Sequence, residues 1–570
     1  MNDLQPIDSR LGSITIALIC VLFLISSRLF YLQIIWNTYY IERSEKNFLR
    51  IEAIPSQRGT IYDCHGNLIA TNRPVAHLIW NGTGNRTLSQ QQKKLLAHLE
   101  AITESSITSN AQLMQSIVSA EKRYKQILLA QDIPLQQLSQ ITEQYPDAPN
   151  IGISTHFERY YPYGPYASHV IGYLSRQVDS GQMGLEKICN DLLKGQEGSV
   201  LKTINSTGRN ITETTEQESL AGRDIYTTID INLQRIAEQV YPENHSGCLL
   251  IMDPENGAIR ALVSRPTFDP SLFLKPISYE TWNELQHKKP FLNRATNPYP
   301  PGSIFKLVTI SAALENGLLH SDQIWDCKGF VEFAGRKYWC HRRWGHGELS
   351  TPQAFAQSCN ILFFELGKLM NIDLIADYAR QFGLGQSTDF LFADHPGVVP
   401  SRDWKMLTKG ERWWPGETLS VTIGQSFLLA TPLQIARMIG SIFTGYLAKP
   451  RILESELVEC SPLDLKPLTL EFLRRSMRLV VTRGTGKKVN DIPDMKVYAK
   501  TSTAQITDFA KRKLSTDYLE HAWFVAYARY KTEKPLVFLV LIENAGTSQV
   551  ASTIAKELLC AFRNLHSAHL

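Results

Sequence analysis

A serine and a lysine, Ser303 and Lys306, lie three residues apart behind two prolines and a glycine in the segment YPPGSIFKLV. The apolar run that starts at the serine continues to a glycine at position 317, which predicts a helix between these two points. On that helix the serine and the lysine would share one face, one turn apart. A lysine buried among apolar residues can lose its proton, because burial disfavours the ammonium form, and can then activate the serine hydroxyl as a nucleophile.

The Ser-x-x-Lys spacing is weak evidence when taken alone. A chain of this length should contain about one or two copies by chance, and a second copy does occur at Ser119 and Lys122. That copy lies in an amphipathic helical stretch without a preceding helix breaker, so its lysine is expected on a solvated face. The alternative interpretation of Ser303 alone is a helix-capping serine followed by a surface lysine.

Two downstream segments favour the catalytic interpretation. Ser358 and Asn360 stand at the start of a second apolar helix, and Lys500, Thr501 and Thr503 lie on a predicted strand. Separately, these residues could be a helix cap, a surface amide and an exposed strand edge. Together and in this order they match the three motifs of serine acyltransferases of the penicillin-binding class.

The elements that must position these residues extend over 570 residues, enough for two or three domains. An uncharged stretch from Leu11 to Ser27, flanked by Arg10 and Arg28, predicts a membrane anchor over residues 11–35. A cleaved signal peptide is the alternative, but no small-x-small cleavage site follows. Arg28, Arg43, Lys46 and Arg50 after the span outnumber Arg10 before it, so the count of positive charges does not support the orientation expected here. Because residues 1–10 are too few to fold, we expect them to form a cytoplasmic tail and the rest to be translocated.

The remaining composition excludes some classes of function. The chain has 59 Lys and Arg against 55 Asp and Glu, and no long basic run, so nucleic-acid binding is not favoured. Its nine cysteines are scattered, unlike those of a disulfide-rich scaffold.

The pattern along the chain predicts an α+β protein. Residues 50–219 form a first, non-catalytic domain with a helical head at about 85–150, and the polar stretch 205–219 reads as a linker. Residues 220–570 form a large α+β domain in which helices pack on an antiparallel sheet. A hairpin at 247–264, two strands near the C-terminus and a closing helix are expected there.

Over nearly its whole length the chain resembles the class B penicillin-binding proteins of the elongation-specific type. The matching segments are RLFYLQI, RGTIYDCHGNLIATN, RYYPYGPYASHVIGYLSR, MGLEKICNDLLKGQEG, TTIDINLQ, YPPGSIFK, GHG, SCN, IGQSFLLATPLQ and KTSTAQ. The resemblance implies an N-terminal transmembrane helix, an elongated α+β pedestal of the dimerisation type, and a C-terminal transpeptidase domain with a penicillin-binding, β-lactamase-like sheet flanked by helices. It also implies a bacterial inner-membrane protein with its catalytic domain in the periplasm.

The resemblance further implies a peptidoglycan D,D-transpeptidase acting in cell-wall elongation. Ser303 would attack the D-alanyl-D-alanine amide of a stem peptide, with Lys306 as general base. Ser358 would relay a proton to the leaving amine and Asn360 would hold Lys306 or the substrate amide. β-Lactams would acylate Ser303 as substrate mimics.

The third motif would complete this site. Lys500 would direct positive charge toward the substrate carboxylate and Ser358, and Thr501 would donate a hydroxyl to that carboxylate. The backbone N–H groups of Ser303 and Thr503 would form the oxyanion hole. The implied partners are a membrane glycosyltransferase of the shape and elongation machinery and other proteins of that complex; no cofactor is required.

Position 502 departs from the family, because serine stands where the third motif has glycine. A Cβ here narrows the approach of a ligand backbone. Since side chains alternate along a strand, Ser502 is expected to point away from the face of Thr501 and Thr503. The substitution predicts altered substrate or antibiotic affinity, or a catalytically weak scaffold.

A second candidate site lies between the first two motifs. Asp326, His341, His346 and Cys359 could bind a structural Zn²⁺ and brace the Ser358 helix. The alternatives are a disulfide between Cys327 and Cys340, or unlinked thiols near a loop histidine.

Three other functions remain possible from the sequence. A septal transpeptidase would share the same motifs, and the elongation type is favoured by YPPGS, by GHG before SCN and by TAQ after the third motif. A β-lactamase or β-lactam sensor would need a base aimed at water, for which Glu411 and Glu417 are unplaced candidates. A non-catalytic scaffold would dock a membrane partner through residues 80–200.

Overall fold

The computed structural model describes residues 5–175, 180–204, 210–505 and 519–567. The chain divides into two compact units. The first contains Met1–Arg58, Asn72–Glu158 and Lys194–Gly222, and the second contains Gly59–Thr71, Arg159–Leu193 and Arg223–Leu570.

The helices and strands follow in chain order. The helices are α1 (Gln5–Phe30), α2 (Asn37–Phe48), α3 (Gln90–Thr103), α4 (Ala111–Lys122), α5 (Leu135–Gln144), α6 (Ser168–Ile171), α7 (Gly184–Ile188), α8 (Asn190–Leu193), α9 (Ile231–Val240), α10 (Tyr279–Lys288), α11 (Lys306–Glu315), α12 (Thr351–Ala356), α13 (Asn360–Leu369), α14 (Ile372–Gln381), α15 (Arg402–Lys409), α16 (Pro415–Thr422), α17 (Pro432–Thr444), α18 (Pro467–Thr482) and α19 (Ser548–Ser567). The strands are β1 (Leu49–Ile54), β2 (Ile61–Tyr62), β3 (Leu68–Asn81), β4 (Gln126–Ala130), β5 (Ile151–Tyr160), β6 (Leu174–Ser175), β7 (Ser180–Gly181), β8 (Gly198–Ile204), β9 (Asn210–Gln217), β10 (Ile225–Tyr226), β11 (Gly247–Met252), β12 (Ile259–Arg265), β13 (Ile324–Cys327), β14 (Phe330–Phe333), β15 (Arg336–Trp339), β16 (Gly347–Ser350), β17 (Tyr446–Ala448), β18 (Cys460–Pro462), β19 (Met495–Ala504), β20 (His521–Tyr530) and β21 (Leu536–Ile542).

The N-terminal apolar segment is helical, as the sequence predicts. Helix α1 continues into a π-helical turn at Tyr31–Ile35. The stretch Leu11–Ile35 is 25 residues long, apolar, and exposed along its length. A helix of about 20 apolar residues is long enough to cross a bilayer, so this segment fits a single-pass anchor.

In the first unit, α3, α4 and α5 pack near the paired strands β3 and β4. Ser89 caps α3 in a reciprocal pair with Gln92. The buried carboxylate of Glu121 accepts hydrogen bonds from Trp80 Nε1 at 2.9 Å and from Gln92 Nε2 at 3.0 Å. This carboxylate therefore ties α4 to α3 and to β3.

The linker predicted at 205–219 is wrong for the part that the structure describes. Residues 210–217 form β9, which pairs antiparallel with β8, and β8 pairs with β1; residues 205–209 lie outside the described ranges. The stretch is polar, but its alternating threonines and Ile211 favour a strand whose backbone bonds to a neighbour while its side chains face solvent.

The second unit is built on an antiparallel five-stranded sheet in the order β12-β11-β21-β20-β19. Because alternate side chains of a strand point to opposite faces, the sheet has two apolar faces. On one face Leu249 and Ile251 pack in a cluster with residues of α9 and α19. On the other, Cys248 and Leu250 belong to the large cluster that includes α11, α13 and α17. The predicted transpeptidase-type α+β arrangement is confirmed.

Residues 59–71 and 159–193 cluster with the second unit, whereas the sequence grouped them with residues 50–219. Strand β2 pairs in parallel with β10. The buried Asp63 carboxylate accepts from the backbone N–H groups of His65 and Asn67, at 2.8 and 2.7 Å, and from that of Ile231 at 3.2 Å. Such long-range backbone contacts bind the early segment to the start of α9.

Candidate active site

Ser303 lies on a tight turn immediately before a buried helix. A 3-10 turn covers Gly302–Ile304 and α11 begins at Lys306, so the α-helix starts three residues later than the sequence predicts. Gly302 has a φ of 53°, which disfavours a Cβ, and an added Cβ there would collide with Ser502 Oγ. A glycine is therefore required beside the serine.

Lys306 is fully buried and holds the second motif. Its Nζ donates to the backbone oxygen of Ser358 at 2.8 Å, to Ser358 Oγ at 3.2 Å and to Asn360 Oδ1 at 2.8 Å. Ser358 has a φ of 54°, an unusual conformation for a serine, at the turn between α12 and α13. The hydrogen bonds of the Lys306 amine therefore hold the turn at Ser358 in position, and that turn also positions the amine.

Lys500 approaches the same hydroxyl from the sheet. It lies on the edge strand β19, is fully buried, and its Nζ donates to Ser358 Oγ at 3.2 Å and to the backbone oxygen of Thr501 at 3.0 Å. The sequence motifs on a helix, a turn and a strand therefore meet at one hydroxyl.

Burial controls the charge of both amines. Desolvation lowers the pKa of Lys306 to about 8, while the charges of Cys359 and Cys340 oppose that shift. Desolvation lowers the pKa of Lys500 well below its usual value, and the charge of Lys306 lowers it further. A proton can therefore leave one of these amines near neutral pH, which a general base requires.

These residues line an open cleft of about 550 Å³. Its walls include Ser303, Ser358, Asn360, Thr501 and Thr503, so the structure brings together the predicted catalytic residues at this cleft, with Lys306 and Lys500 beneath it.

Thr485 and Ser548 also contribute to the cleft, although the sequence did not single them out. The hydroxyl of Thr485 is hydrogen bonded to that of Thr501 at 2.6 Å. The backbone N–H of Ser548 donates to Thr503 Oγ1 at 3.2 Å. The breaker-flanked RGTGKK segment was the available signal for Thr485; for Ser548, at the start of a helix, we see none.

Ser502 is buried between the first and third motifs. It lies against Gly302, while Thr501 and Thr503 make the separate contacts described above. Among the described residues, Ser502 Oγ has no hydrogen-bond partner. Its hydroxyl occupies the space beside the Gly302–Ile304 turn and makes no hydrogen bond among the described residues.

The residues that cluster at the second predicted site differ from the four metal ligands expected from the sequence. The atoms that lie within 4.8 Å of one another belong to Cys327, Cys340, His346 and Cys359. His346 Nδ1 is 3.4 Å from Cys327 Sγ and 3.6 Å from Cys340 Sγ, and the sulfurs of Cys340 and Cys359 are 4.0 Å apart. The hydrogen bond with Cys359 lowers the pKa of the Cys340 thiol.

The expected ligand Asp326 is wrong because side chains alternate along β13. Cys327 is buried and faces the cluster, whereas Asp326 is exposed and pairs with Lys328 at 3.5 Å. His341 is outside the group of four as well, although its Nδ1 lies 3.8 Å from Cys340 Sγ. Cys327 and Cys340 are free thiols, so the alternative of a disulfide between them is not observed.

Comparison with known proteins identifies two domains in this chain. The penicillin-binding protein transpeptidase domain matches residues 247–560, and the penicillin-binding protein dimerisation domain matches residues 53–227. The chain belongs to the penicillin-binding protein transpeptidase family. The class B architecture predicted from the sequence is thereby confirmed.

Relatives of this penicillin-binding protein include several peptidoglycan D,D-transpeptidases named MrdA. It is 29% identical to the peptidoglycan D,D-transpeptidase MrdA of Acinetobacter baumannii, over 95% of this chain and 86% of the relative. The solved PBP2 in complex with MreC from Helicobacter pylori has a TM-score of 0.75 and 25% identity, covering 92% of this chain and all of that one. A chain from the structure "Structural coordination of polymerization and crosslinking by a peptidoglycan synthase complex" has a TM-score of 0.76 and 29% identity, covering 97% and 98%.

Proposed function

We propose that this penicillin-binding protein is a serine D,D-transpeptidase that cross-links peptidoglycan stem peptides during cell-wall elongation. The observation that carries the proposal is the convergence of Lys306 and Lys500 on Ser358 Oγ, in the cleft that Ser303 lines. The relatives over almost the whole chain support the elongation role.

In the acylation step, neutral Lys306 takes the proton of Ser303 as its oxygen attacks the carbonyl of the D-alanyl-D-alanine bond. The backbone N–H groups of Ser303 and Thr503 stabilise the oxyanion of the tetrahedral intermediate. Ser358 passes the proton from Lys306 to the leaving nitrogen. The C–N bond breaks, terminal D-alanine departs as an amine, and the peptide remains as an ester of Ser303.

In the second step, an amine of a neighbouring stem peptide attacks the ester. Its proton returns through Ser358 and Lys306 to the Ser303 oxygen, so the enzyme is restored and a new amide is formed. Asn360 holds the Lys306 amine through its Oδ1 during both steps.

Lys500 and Thr501 orient the substrate from the strand side. Lys500 donates a hydrogen bond to Ser358 Oγ, and Thr501 donates its hydroxyl to the terminal carboxylate of the substrate. The hydrogen bond between Thr501 and Thr485 fixes that hydroxyl at the cleft wall.

The regions outside the cleft are assigned to a membrane anchor and to two domains. We assign residues 1–10 to a cytoplasmic tail, 11–35 to an inner-membrane anchor, 50–219 to a non-catalytic pedestal, except for the segments 59–71 and 159–193 that cluster with the second unit, and 220–570 to the periplasmic transpeptidase domain. The solved relatives in complex with MreC and in a peptidoglycan synthase complex support similar partners here, and the family resemblance implies that a membrane glycosyltransferase is one of them.

We also propose that the cluster of Cys327, Cys340, His346 and Cys359 holds a structural Zn²⁺. Three thiols and one imidazole are a ligand set that zinc favours in closed sites. Cys359 lies between Ser358 and Asn360, and the backbone N–H of Asn360 points to Cys340 Sγ at 3.5 Å. A bound ion would brace the strained turn of the second motif. Loss of one zinc equivalent in His346→Gln, but not in His341→Gln, is the expected result; equal zinc content would contradict it.

The transpeptidase proposal is tested with a synthetic stem peptide ending in D-alanyl-D-alanine and an amine acceptor. The wild type should release D-alanine and form the cross-linked peptide in equal amounts, and Ser303→Ala should form neither. Release of D-alanine without any cross-link by the full chain in its synthase complex would instead indicate a carboxypeptidase.

A further inference from the structure

A second group of metal-binding side chains lies far along the chain from the first. Cys64 and His65 occupy the turn between β2 and β3, and Asp230 caps the start of α9. One ligand atom of each lies within 4.8 Å of the others. All three residues belong to the second compact unit.

The geometry suits a tetrahedral ion. His65 Nε2 and Asp230 Oδ2 are 3.2 Å apart. Two ligands at zinc–nitrogen and zinc–oxygen bond lengths near 2.0–2.1 Å, at a tetrahedral angle, are separated by about 3.3 Å. The His65 side chain is 60% exposed, so its ring has room to adjust toward an ion, and one ligand atom of Cys64 lies within 4.8 Å of those of His65 and Asp230.

The two carboxylate oxygens of Asp230 have different partners, which leaves Oδ2 available to bind an ion. Its Oδ1 accepts from the backbone N–H groups of Asn232 and Leu233, at 2.9 and 3.2 Å, while Oδ2 faces His65. The adjacent turn is held independently by Asp63, whose carboxylate accepts from backbone N–H groups of the turn and of α9. The Asp230 carboxylate and the backbone of the turn that carries Cys64 and His65 are therefore held in place by groups other than the metal.

The local charge favours a dication. Burial raises the pKa of the Cys64 thiol to about 11; the charge of Arg260 lowers this pKa, and the carboxylates of Asp230, Asp63 and Glu454 raise it. Three negative groups against one positive group attract a divalent cation. A thiolate, an imidazole and a carboxylate are ligand types that Zn²⁺ accepts together, with a water completing the tetrahedron.

We propose that Cys64, His65 and Asp230 form a Zn²⁺ site with one open coordination position. On binding, the Cys64 thiol releases its proton to solvent and sulfur bonds to the ion, while neutral His65 and the Asp230 carboxylate supply the other bonds. The ion links the β2–β3 turn to α9 and stabilises the attachment of residues 59–71 to the second unit. This site is separate from the cluster of Cys327, Cys340, His346 and Cys359.

The test uses the full chain in detergent, stripped with a chelator and titrated with Zn²⁺ against a chromophoric competitor. His65→Gln and Cys64→Ser should each bind one equivalent fewer than the wild type. Asp230→Asn retains the helix cap but should weaken that equivalent by at least about tenfold. His287→Gln and Cys460→Ser, which change an exposed histidine and an exposed thiol elsewhere, should bind as the wild type does.

Two further measurements separate metal binding from a folding defect. Without metal, His65→Gln should melt at the wild-type temperature, and Zn²⁺ should raise the melting temperature of the second unit less in the variant than in the wild type. Co²⁺ should give a sulfur-to-metal absorption band that is weaker in Cys64→Ser than in Cys460→Ser. Equal zinc stoichiometry and affinity in the wild type and His65→Gln would overturn the proposal, whatever happens at the other cluster.

Discussion

Lys306 and Lys500 both donate a hydrogen bond to Ser358 Oγ, each at 3.2 Å. Two buried amines on one hydroxyl cannot both keep a proton easily, because each charge disfavours the other and burial disfavours both. This arrangement makes a proton exchangeable beside Ser303 near neutral pH.

The rate of acylation by a penicillin should rise with pH. The pKa of Lys306 is lowered to about 8, and its basic form is the deprotonated one. The acylation rate should therefore increase about tenfold for each pH unit below 8 and level off above it. Stopped-flow measurement with a fluorescent penicillin between pH 6 and 9 checks this. A rate that is flat or falls over that range would show that Lys306 is not the base.

Removal of the hydroxyl shared by the two amines should slow acylation without preventing folding. We expect Ser358→Ala to lose about 100-fold or more in the acylation rate, since a proton relay typically contributes that much. Ser461→Ala, an exposed serine on β18, is the matched control and should react at the wild-type rate. An unchanged rate in Ser358→Ala would remove the relay from the mechanism.

The hydroxyl of Ser502 should destabilise the second unit. It is buried without a partner among the described residues, and such a group costs about 1–3 kcal/mol. Ser502→Ala should raise the free energy of unfolding by about 1 kcal/mol, measured by urea denaturation. In contrast, Ser552→Ala removes a hydroxyl that donates to the backbone oxygen of Ser548 at 3.0 Å, and this change should lower the free energy of unfolding. A lower midpoint for Ser502→Ala would indicate a hidden partner.

Acid should destabilise the second unit through His169. This ring is buried, its Nε2 lies 2.6 Å from the Pro290 backbone oxygen, and burial lowers its pKa from 6.5 to about 4. Because the folded pKa is the lower one, the neutral ring's contribution is complete above pH 6.5 and is lost as pH falls toward 4. The loss should be about 3 kcal/mol over that range.

Unfolding of the wild type and of His169→Gln, compared at pH 7 and pH 4.5, measures the contribution of His169. The variant should lose less stability on acidification, whereas His287→Gln, an exposed histidine, should behave as the wild type. Equal acid sensitivity in His169→Gln and the wild type would assign the effect to other groups.

Short-range patterns predicted the catalytic elements well because each motif stands at a local boundary. The prolines and Gly302 mark the nucleophile turn, and the apolar run after Asn360 marks α13. The convergence of three motifs separated by up to about 200 residues could be inferred only from the family resemblance, since sequence spacing does not encode tertiary distance.

The predictions that were wrong have the same cause, since sequence spacing does not encode tertiary contacts. Asp326 and Cys327 are adjacent, and only the observed register of β13 decides which one faces the cluster. Residues 210–217 are polar enough to read as a linker, yet pairing with β8 makes them a strand. The attachment of residues 59–71 to the second unit depends on the buried Asp63 carboxylate, a contact across more than 160 residues.

The proposed mechanism requires the hydroxyl of Ser303 to become a covalent nucleophile with the help of Lys306. Its most direct test is intact-protein mass spectrometry after exposure to a penicillin, followed by peptide mapping. One adduct, on Ser303, should persist for many minutes and be absent from Ser303→Ala. An adduct on another residue, or one hydrolysed within seconds as in a β-lactamase, would contradict it.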